Sequence, residues 1–126
     1  MSVTVAMDTS ALMMPVEVGV RVFEELERLL GSFDCVVPRA VLAELDGLSQ
    51  GASAESTAAS VGTDLATERC HVVEHEESYA DDAFVELADR FDYVVTNDQP
   101  LKRRLLEADV PVIHLRGRNK LAITQP

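Results

Sequence analysis

The chain has 126 residues and 47% hydrophobic content, which exclude a disordered protein and predict a single domain over residues 1–126. Twenty-two acidic residues oppose nine Arg and two Lys, and the net charge of −11 suggests a halophile-like acidic surface, with an ordinary acidic protein as the alternative. No apolar run approaches the roughly 18 residues of a membrane span. The first residues show no secretory leader pattern, so we expect a cytoplasmic protein without a membrane partner.

Strand-like and helical segments alternate along the chain. Short apolar runs rich in β-branched residues predict strands at 3–7, 35–37, 71–74, 93–96 and 111–115. Helical spacing predicts one helix over 13–30, with Pro15 in its first turn and Gly31 as its C-terminal cap. Further helices are predicted from Pro38, after a polar loop at 48–60, from Asp81 and after Asp98.

This alternation predicts the fold class. Strands joined by helical crossovers form a parallel sheet with helices on both faces. The strands read as continuous apolar runs, which is the pattern of strands buried on both faces. We therefore expect a three-layer α/β/α sandwich around a central parallel sheet of about five strands.

The two cysteines, Cys35 and Cys70, both lie in apolar, strand-like runs. Because the sequence shows no secretory signal, they are expected to be buried free thiols in a reducing compartment. Two cysteines also cannot supply a four-cysteine zinc site.

Four acidic residues stand where the predicted elements would bring them to one edge of the sheet. Asp8 and Asp98 directly follow strands, Asp81 opens a helix and Glu44 lies within another. In an open α/β sheet, ligands bind in the crevice beyond the carboxyl ends of the strands. Taken singly, the three Asp are also favoured helix caps, and Glu44 also fits a solvated helix face.

Together, the four carboxylates favour a divalent metal centre. Clustered carboxylates repel one another unless a cation lies between them, and an all-oxygen ligand set suits Mg²⁺ or Mn²⁺. The hydroxyls of Thr9, Ser10 and Thr96 lie beside them in sequence and could orient a carboxylate or a bound water. The chemistry that fits this set is metal-assisted hydrolysis of a phosphodiester.

Competing motifs are weaker. Residues 71–75 match the H-x-x-E-H zinc signature, but that signature requires a helix and these residues resemble a strand. The chain contains neither a P-loop nor a G-x-G-x-x-G motif. His114 is interpreted as an ordinary strand residue.

Charge is distributed unevenly along the chain. Residues 100–126 carry six basic and two acidic side chains, a balance of +4, whereas residues 1–99 carry five basic and twenty acidic ones, a balance of −15. The basic residues of this end are Lys102, Arg103, Arg104, Arg116, Arg118 and Lys120. A basic segment on an acidic protein indicates a polyanion partner, and a solvated basic face is the alternative.

Four segments in this order resemble a PIN domain, the small α/β ribonuclease fold with an acidic metal-binding centre. They are VAMDTSALM, PRAVLAELDGL, YADDAFVELADRF and VVTNDQPLKRRLLEADVPVIHL, and together they cover nearly the whole chain. The resemblance places Asp8, Glu44 and Asp98 at metal-binding positions, and the third segment offers Asp81, with Asp82 as the alternative. Within the family, the chain looks most similar to archaeal single-domain PIN proteins related to the small-subunit rRNA processing nuclease. Toxin ribonucleases of the VapC type are the second choice.

The resemblance implies an Mg²⁺- or Mn²⁺-dependent endoribonuclease in rRNA or other RNA processing, with Asp8, Glu44, Asp81 and Asp98 catalytic. The basic residues of the C-terminal segment are then candidates for contact with RNA phosphates. Two alternatives remain, a catalytically quiet PIN scaffold that binds RNA or protein, and a toxin controlled by an antitoxin. A homodimer and a ribosome-assembly partner are further implied partners.

Overall fold

Six strands form one sheet in the computed structural model, which describes residues 2–126. The spatial order is β3-β2-β1-β4-β5-β6, in which β1 to β5 are parallel and β6 is antiparallel to β5. The strands are β1 Val3–Met7, β2 Phe33–Pro38, β3 His71–Val73, β4 Tyr93–Val95, β5 Val112–Arg116 and β6 Lys120–Thr124.

Helices lie in the connections between the strands and flank the sheet. They are α1 Thr9–Glu17, α2 Val22–Leu30, α3 Arg39–Leu48, α4 Ala54–Arg69, α5 Ala80–Glu86 and α6 Gln99–Glu107, with a short 3₁₀ turn at Ala88–Arg90. The central strands β1, β4 and β5 have fully buried apolar side chains on consecutive residues, as continuous apolar runs require. The predicted α/β/α sandwich is confirmed. Within residues 2–126, no helix has both the length and the apolar character needed to cross a membrane.

The strand order changes direction between β1 and β4. From β1 the chain proceeds to β2 and β3 on one side, and β4 and β5 lie on the other side. The amide of Asp8 donates to the Val95 carbonyl at 3.1 Å, and the amide of Thr96 donates to the Ile113 carbonyl at 3.0 Å. The backbone pairing therefore continues to the carboxyl ends of these strands, where open α/β sheets form their binding crevice.

The prediction of one helix over 13–30 is wrong. The structure has two helices, α1 and α2, and Pro15 lies inside α1 instead of in a first turn. Gly19 adopts a φ of 70°, a left-handed conformation that interrupts the helix between the two segments. Helix α1 begins at Thr9, two residues after β1 ends at Met7.

Two further boundaries differ from the predictions. Helix α4 begins at Ala54, inside the predicted loop 48–60, because the Ser53 hydroxyl caps it by accepting from the Ser56 amide at 3.1 Å. The segment after β5 turns at Gly117, which has a φ of 71°, and returns as β6. The alternating apolar residues Leu121 and Ile123 were the available signal for this edge strand.

The expectation of free thiols is also wrong, because Cys35 and Cys70 form a disulfide across 35 residues of sequence. The parallel pairing of β2 with β3 sets Val36 opposite His71, so the residues just before them lie side by side, 4.6 Å apart at Cα. The bond joins β2 to the end of α4. No free cysteine remains in the described residues.

Candidate active site

Asp8 lies at the end of β1 and is almost completely buried, with 6% of its surface exposed. The fully buried Thr96 hydroxyl donates to Asp8 Oδ2 at 2.6 Å, and the Ser10 hydroxyl donates to the same oxygen at 3.4 Å. Asp8 is the residue before α1, yet its side chain makes no capping bond to that helix. The carboxylate is therefore held toward β4 instead of serving as the helix cap that the sequence also allowed.

The loop after β4 is organised around the same hydroxyls. Thr96 Oγ1 accepts from the Asp98 amide at 3.1 Å, and Ser10 Oγ accepts from the Asn97 amide at 3.1 Å. Asp98 does act as a cap, since its Oδ1 accepts from the Leu101 amide at 2.8 Å at the start of α6. This bond fixes the Asp98 side chain at the same edge as Asp8.

A cavity of about 260 Å³ opens at this edge, and the four predicted acids share its lining. Glu44 reaches it from the exposed side of α3, and Asp81 reaches it from the first turn of α5. Thr9 and Ser10 also line it, with two acids that the sequence patterns did not single out, Glu17 and Glu55. The carboxylates around the cavity, referred to below as the acidic cavity, are Asp8, Glu17, Glu44, Glu55, Asp81 and Asp98.

Asp82 takes a different position from its neighbour Asp81. Its Oδ1 forms an ion pair with Arg104 Nη2 of α6 at 3.0 Å, and it is not part of the lining of the acidic cavity. Of the two neighbours, Asp81 lines the acidic cavity with the other candidate acids, whereas Asp82 is paired with Arg104.

The carboxylates affect one another electrostatically. Burial, with smaller contributions from the charges of Glu44 and Asp81, raises the pKa of Asp8 to about 6, against the lowering effects of hydrogen bonds from the Thr96 hydroxyl and the Thr9 backbone. Burial also raises the pKa of Asp81, with added repulsion from Asp98 and Glu44. Each of these acids therefore lies in the field of the others, and a cation in the cavity would relieve that repulsion.

The donor chemistry of the acidic cavity fits a hard divalent cation, because every charged lining group is a carboxylate and hydroxyls lie beside them. The Thr9 hydroxyl is buried at the same place without a hydrogen-bond partner. Within residues 2–126, however, no three His, Cys, Asp or Glu side chains converge closely enough to hold a metal ion. Ligation would thus require the exposed carboxylates, such as Glu44, to rotate toward Asp8.

The basic residues of the C-terminal segment lie on two elements. Lys102, Arg103 and Arg104 belong to α6, which starts at the edge of the acidic cavity. Arg116 and Lys120 are cross-strand partners at the tip of the β5–β6 hairpin, with Arg118 in the turn. The Leu115 amide donates to Asn97 Oδ1 at 2.8 Å, which joins the start of this tip to the loop after β4. Both basic groups therefore flank the carboxyl edge of the sheet.

The zinc-like motif has other roles in the fold. His75 Nε2 accepts from the Ala40 amide at 3.0 Å, and Glu74 forms a salt bridge with Arg39 at 2.7 Å. His71 lies in β3, so the two histidines do not share a helix face. His114 is a strand residue, as expected, with Nε2 2.7 Å from the Thr124 hydroxyl of β6.

The fold and the site together have the features of one family of small α/β domains. The sequence matches the family described as "PIN like domain" over residues 5–118, and the chain belongs to this family. Comparison of the sequence with curated proteins gives no match.

Solved structures share the fold. The PIN domain endonuclease Utp24 has a TM-score of 0.78 and 24% identity, over 98% of this chain and 92% of that one. A domain of a functionally unknown protein from Methanocaldococcus jannaschii has a TM-score of 0.67 and 16% identity, over 94% and 95% of the two chains. VapBC2 from Rickettsia felis, bound to a DNA fragment from its promoter, has a TM-score of 0.54 and 16% identity, over 88% and 98%.

Proposed function

We propose that this protein is a divalent-metal-dependent endoribonuclease that hydrolyses RNA phosphodiester bonds, and that residues 1–126 form one catalytic domain. The observation that carries the proposal is the acidic cavity at the strand switch point of a PIN-like fold. Asp8, Glu44, Asp81 and Asp98 are the proposed catalytic and metal-binding residues. Mg²⁺ or Mn²⁺ is the proposed ion, since both accept all-oxygen ligand sets.

Each residue of the proposed site has a role that follows from its position. Thr96 orients the Asp8 carboxylate through the 2.6 Å hydrogen bond, and Asp8 would be one of the residues that hold the ion. Asp98 is held at the cavity edge by its capping bond, while Glu44 and Asp81 would supply carboxylates from two helices. A bound divalent ion supplies an activated water and neutralises negative charge on the phosphate.

The basic groups complete the proposed site by holding the substrate. A polyanion approaching the acidic cavity is repelled by the carboxylates, and the basic residues of α6 and of the hairpin tip offset this repulsion. Arg104 lies beside the acids, since it forms an ion pair with Asp82, the neighbour of Asp81. These contacts hold the RNA backbone and do not distinguish one base sequence from another.

The proposed biological setting is RNA processing in the cytoplasm, including rRNA processing. It is supported by the match to the PIN-like family and by the structural similarity to a PIN domain endonuclease, Utp24. Similarity to a chain of a VapBC complex keeps an antitoxin-controlled toxin as an alternative. A homodimer and a ribosome-assembly partner remain proposals as well.

The test is cleavage of a structured RNA with Mg²⁺ or Mn²⁺ by the wild type and by Asp8→Asn. We expect cleavage by the wild type, a loss of about 100-fold or more in Asp8→Asn, and no cleavage in EDTA. Asp64→Asn, which removes an exposed acid on α4, is the matched control and should cleave normally. Equal rates for wild type and Asp8→Asn would show that the acidic cavity is not the catalytic site.

One observation favours a second function, a scaffold that binds RNA without cutting it. The acids line one cavity, yet no three of them within residues 2–126 converge to ligating distance. Calorimetric titration with Mn²⁺ distinguishes the two functions. Binding that Asp8→Asn abolishes supports the nuclease, and the absence of binding supports the scaffold.

A further inference from the structure

Tyr79 is the most exposed large hydrophobic side chain of the described residues, with 76% of its surface accessible. It lies immediately before α5, and its side chain makes no capping bond to that helix. The other aromatic residues of the chain contribute to the core or pack against it, among them Phe84 and Tyr93. The position of Tyr79 is therefore not explained by folding.

Tyr79 lines a second cavity that adjoins the acidic cavity. This cavity measures about 390 Å³ and is lined by Glu44, Tyr79, Ala80, Asp81, Asp82 and Arg104. Glu44 and Asp81 belong to both cavities. A ligand in the second cavity would therefore lie directly beside the proposed catalytic carboxylates. Its volume lies within the range of pockets that bind small ligands.

The chemistry of the second cavity is that of a nucleotide site. Tyr79 offers an exposed aromatic face, and bases stack on such faces irrespective of their identity. Arg104 offers a guanidinium group, held by Asp82 through Nη2 and still 44% exposed. A guanidinium matches the geometry of a phosphate and can bind it through two parallel hydrogen bonds.

We propose that the second cavity binds one nucleotide of single-stranded RNA, with its base stacked on Tyr79 and a phosphate contacted by Arg104. The inference rests on the proposed function, because it places this nucleotide next to the phosphodiester that the acidic cavity cleaves. A base inside a duplex is already stacked on both neighbours and cannot offer a face to Tyr79. The proposed substrate is thus an unpaired segment of RNA.

The experiment measures RNA affinity in the Asp8→Asn background with Mg²⁺, so that bound RNA is not consumed. Single-stranded and duplex oligoribonucleotides of the same length are compared by fluorescence anisotropy. Tyr79→Ala should weaken binding of single-stranded RNA by roughly 5- to 150-fold, the range that base–aromatic stacking supplies. Tyr79→Phe should bind like the parent because it keeps the ring. Val72→Ala, which trims another exposed apolar residue on β3, is the matched control.

Two further readouts distinguish stacking from general damage to the surface. The chain contains no Trp, so Tyr79→Trp introduces a single reporter whose fluorescence should be quenched by single-stranded RNA. An RNA oligonucleotide that lacks the base at the bound position should bind the Asp8→Asn parent protein more weakly than the intact oligonucleotide does. Adding Tyr79→Ala to this protein should not weaken the binding of that oligonucleotide further.

The proposal is overturned if Tyr79→Ala weakens single-stranded and duplex RNA equally, or if saturating RNA leaves the indole fluorescence of the Tyr79→Trp variant unchanged. Its failure is distinguishable from failure of the nuclease assignment. Loss of binding in Tyr79→Ala without cleavage by the wild type supports the nucleotide site and contradicts the nuclease. Cleavage by the wild type together with normal binding by Tyr79→Ala supports the nuclease and contradicts the nucleotide site.

Discussion

At the scale of single residues, Asp8 combines features that oppose each other. It is buried and ionisable, it accepts a hydrogen bond from Thr96, and it lies near the charges of Glu44 and Asp81. Burial of a charge costs stability unless the charge is paired. A residue of this kind is expected to make the protein less stable when no cation is bound, and the proposed ion would offset this cost.

The first prediction concerns this cost. The pKa of Asp8 is about 6 in the folded protein, against 3.8 for an ordinary Asp, so the folded state binds the proton more tightly than the unfolded state. The contribution of Asp8 to the free energy of unfolding is largely present below about pH 4 and is lost as the pH rises through about 6. By linkage, the loss is about 3 kcal/mol. In EDTA at pH 7, Asp8→Asn should therefore be more stable than the wild type in urea denaturation.

The gain should be small near pH 4, where Asp8 is protonated in the folded protein and only about half ionised in the unfolded chain, and it should disappear at lower pH. Asp64→Asn provides the control for loss of one exposed negative charge, and it should change stability little at either pH. A stability of Asp8→Asn at or below that of the wild type at pH 7 would contradict the assigned direction.

The candidate acids show what could be predicted at this scale. Asp8 and Asp98 were identified from their positions after strands, because a strand end is visible in sequence. The sequence does not distinguish the position of Asp81 from that of Asp82, because the difference depends on Arg104, which belongs to another helix. Glu17 and Glu55 enter the acidic cavity only through the packing of α1 against α4.

At the scale of elements, the contact between α1 and α4 positions this side of the site. Helix α4 presents small buried residues to its neighbours, namely Ala58, Ala59, Gly62 and Ala66. A Cβ atom on Gly62 would lie 3.1 Å from the Leu12 carbonyl oxygen and 3.2 Å from Leu45 Cδ2. The absence of a side chain therefore allows the backbone of α1 to approach closely.

The second prediction follows from this contact. Gly62→Ala gains about 1 kcal/mol in helix propensity but must displace the backbone of α1, which costs about 1–3 kcal/mol. We expect a net destabilisation of roughly 1 kcal/mol in urea denaturation. Gly47→Ala is the matched control, since Gly47 lies in α3 with no atom within 4 Å of the added Cβ.

The control should be stabilised by up to about 1 kcal/mol, because it gains helix propensity without crowding. The prediction fails if the two substitutions change the free energy of unfolding in the same direction. That result would mean that α1 can shift away from α4 at little cost.

The third prediction concerns the bond between β2 and the end of α4. A disulfide between residues 35 apart restricts the unfolded chain, and the chain-entropy model assigns it about 4 kcal/mol. Reduction should lower the urea midpoint of the wild type. The Cys35→Ala, Cys70→Ala double variant should be insensitive to reductant, and a wild-type midpoint unaffected by reductant would contradict a stabilising disulfide.

At the scale of the whole molecule, the dominant feature is the separation of charge. Residues 1–99 carry a balance of −15, and residues 100–126 carry +4. The acidic part repels itself, whereas the basic part flanks the carboxyl edge of the sheet on α6 and the β5–β6 hairpin. Salt screens both the self-repulsion of the acidic part and the attraction of the basic part for a polyanion. Screening the first should stabilise the fold, and screening the second should weaken binding of a polyanion.

The fourth prediction is that salt stabilises the fold and weakens RNA binding. Between 50 mM and 1 M KCl, metal-free protein should gain about 1 kcal/mol or more, roughly 4 °C in melting temperature, as self-repulsion is screened. Affinity for RNA should fall over the same range because phosphate contacts release counterions. NaCl serves as the control for a specific effect of K⁺. A melting temperature independent of salt would contradict the expectation of a halophile-like surface.

The sequence alone determined the alternation of strands and helices, the α/β class and the acids at strand ends. These features are local, since burial on both faces produces apolar runs and helices repeat every 3.6 residues. The tertiary structure decided which distant residues meet. It paired Cys35 with Cys70 and placed Tyr79 beside Arg104 and the acidic cavity. Such contacts depend on strand order and helix packing, which no local pattern encodes.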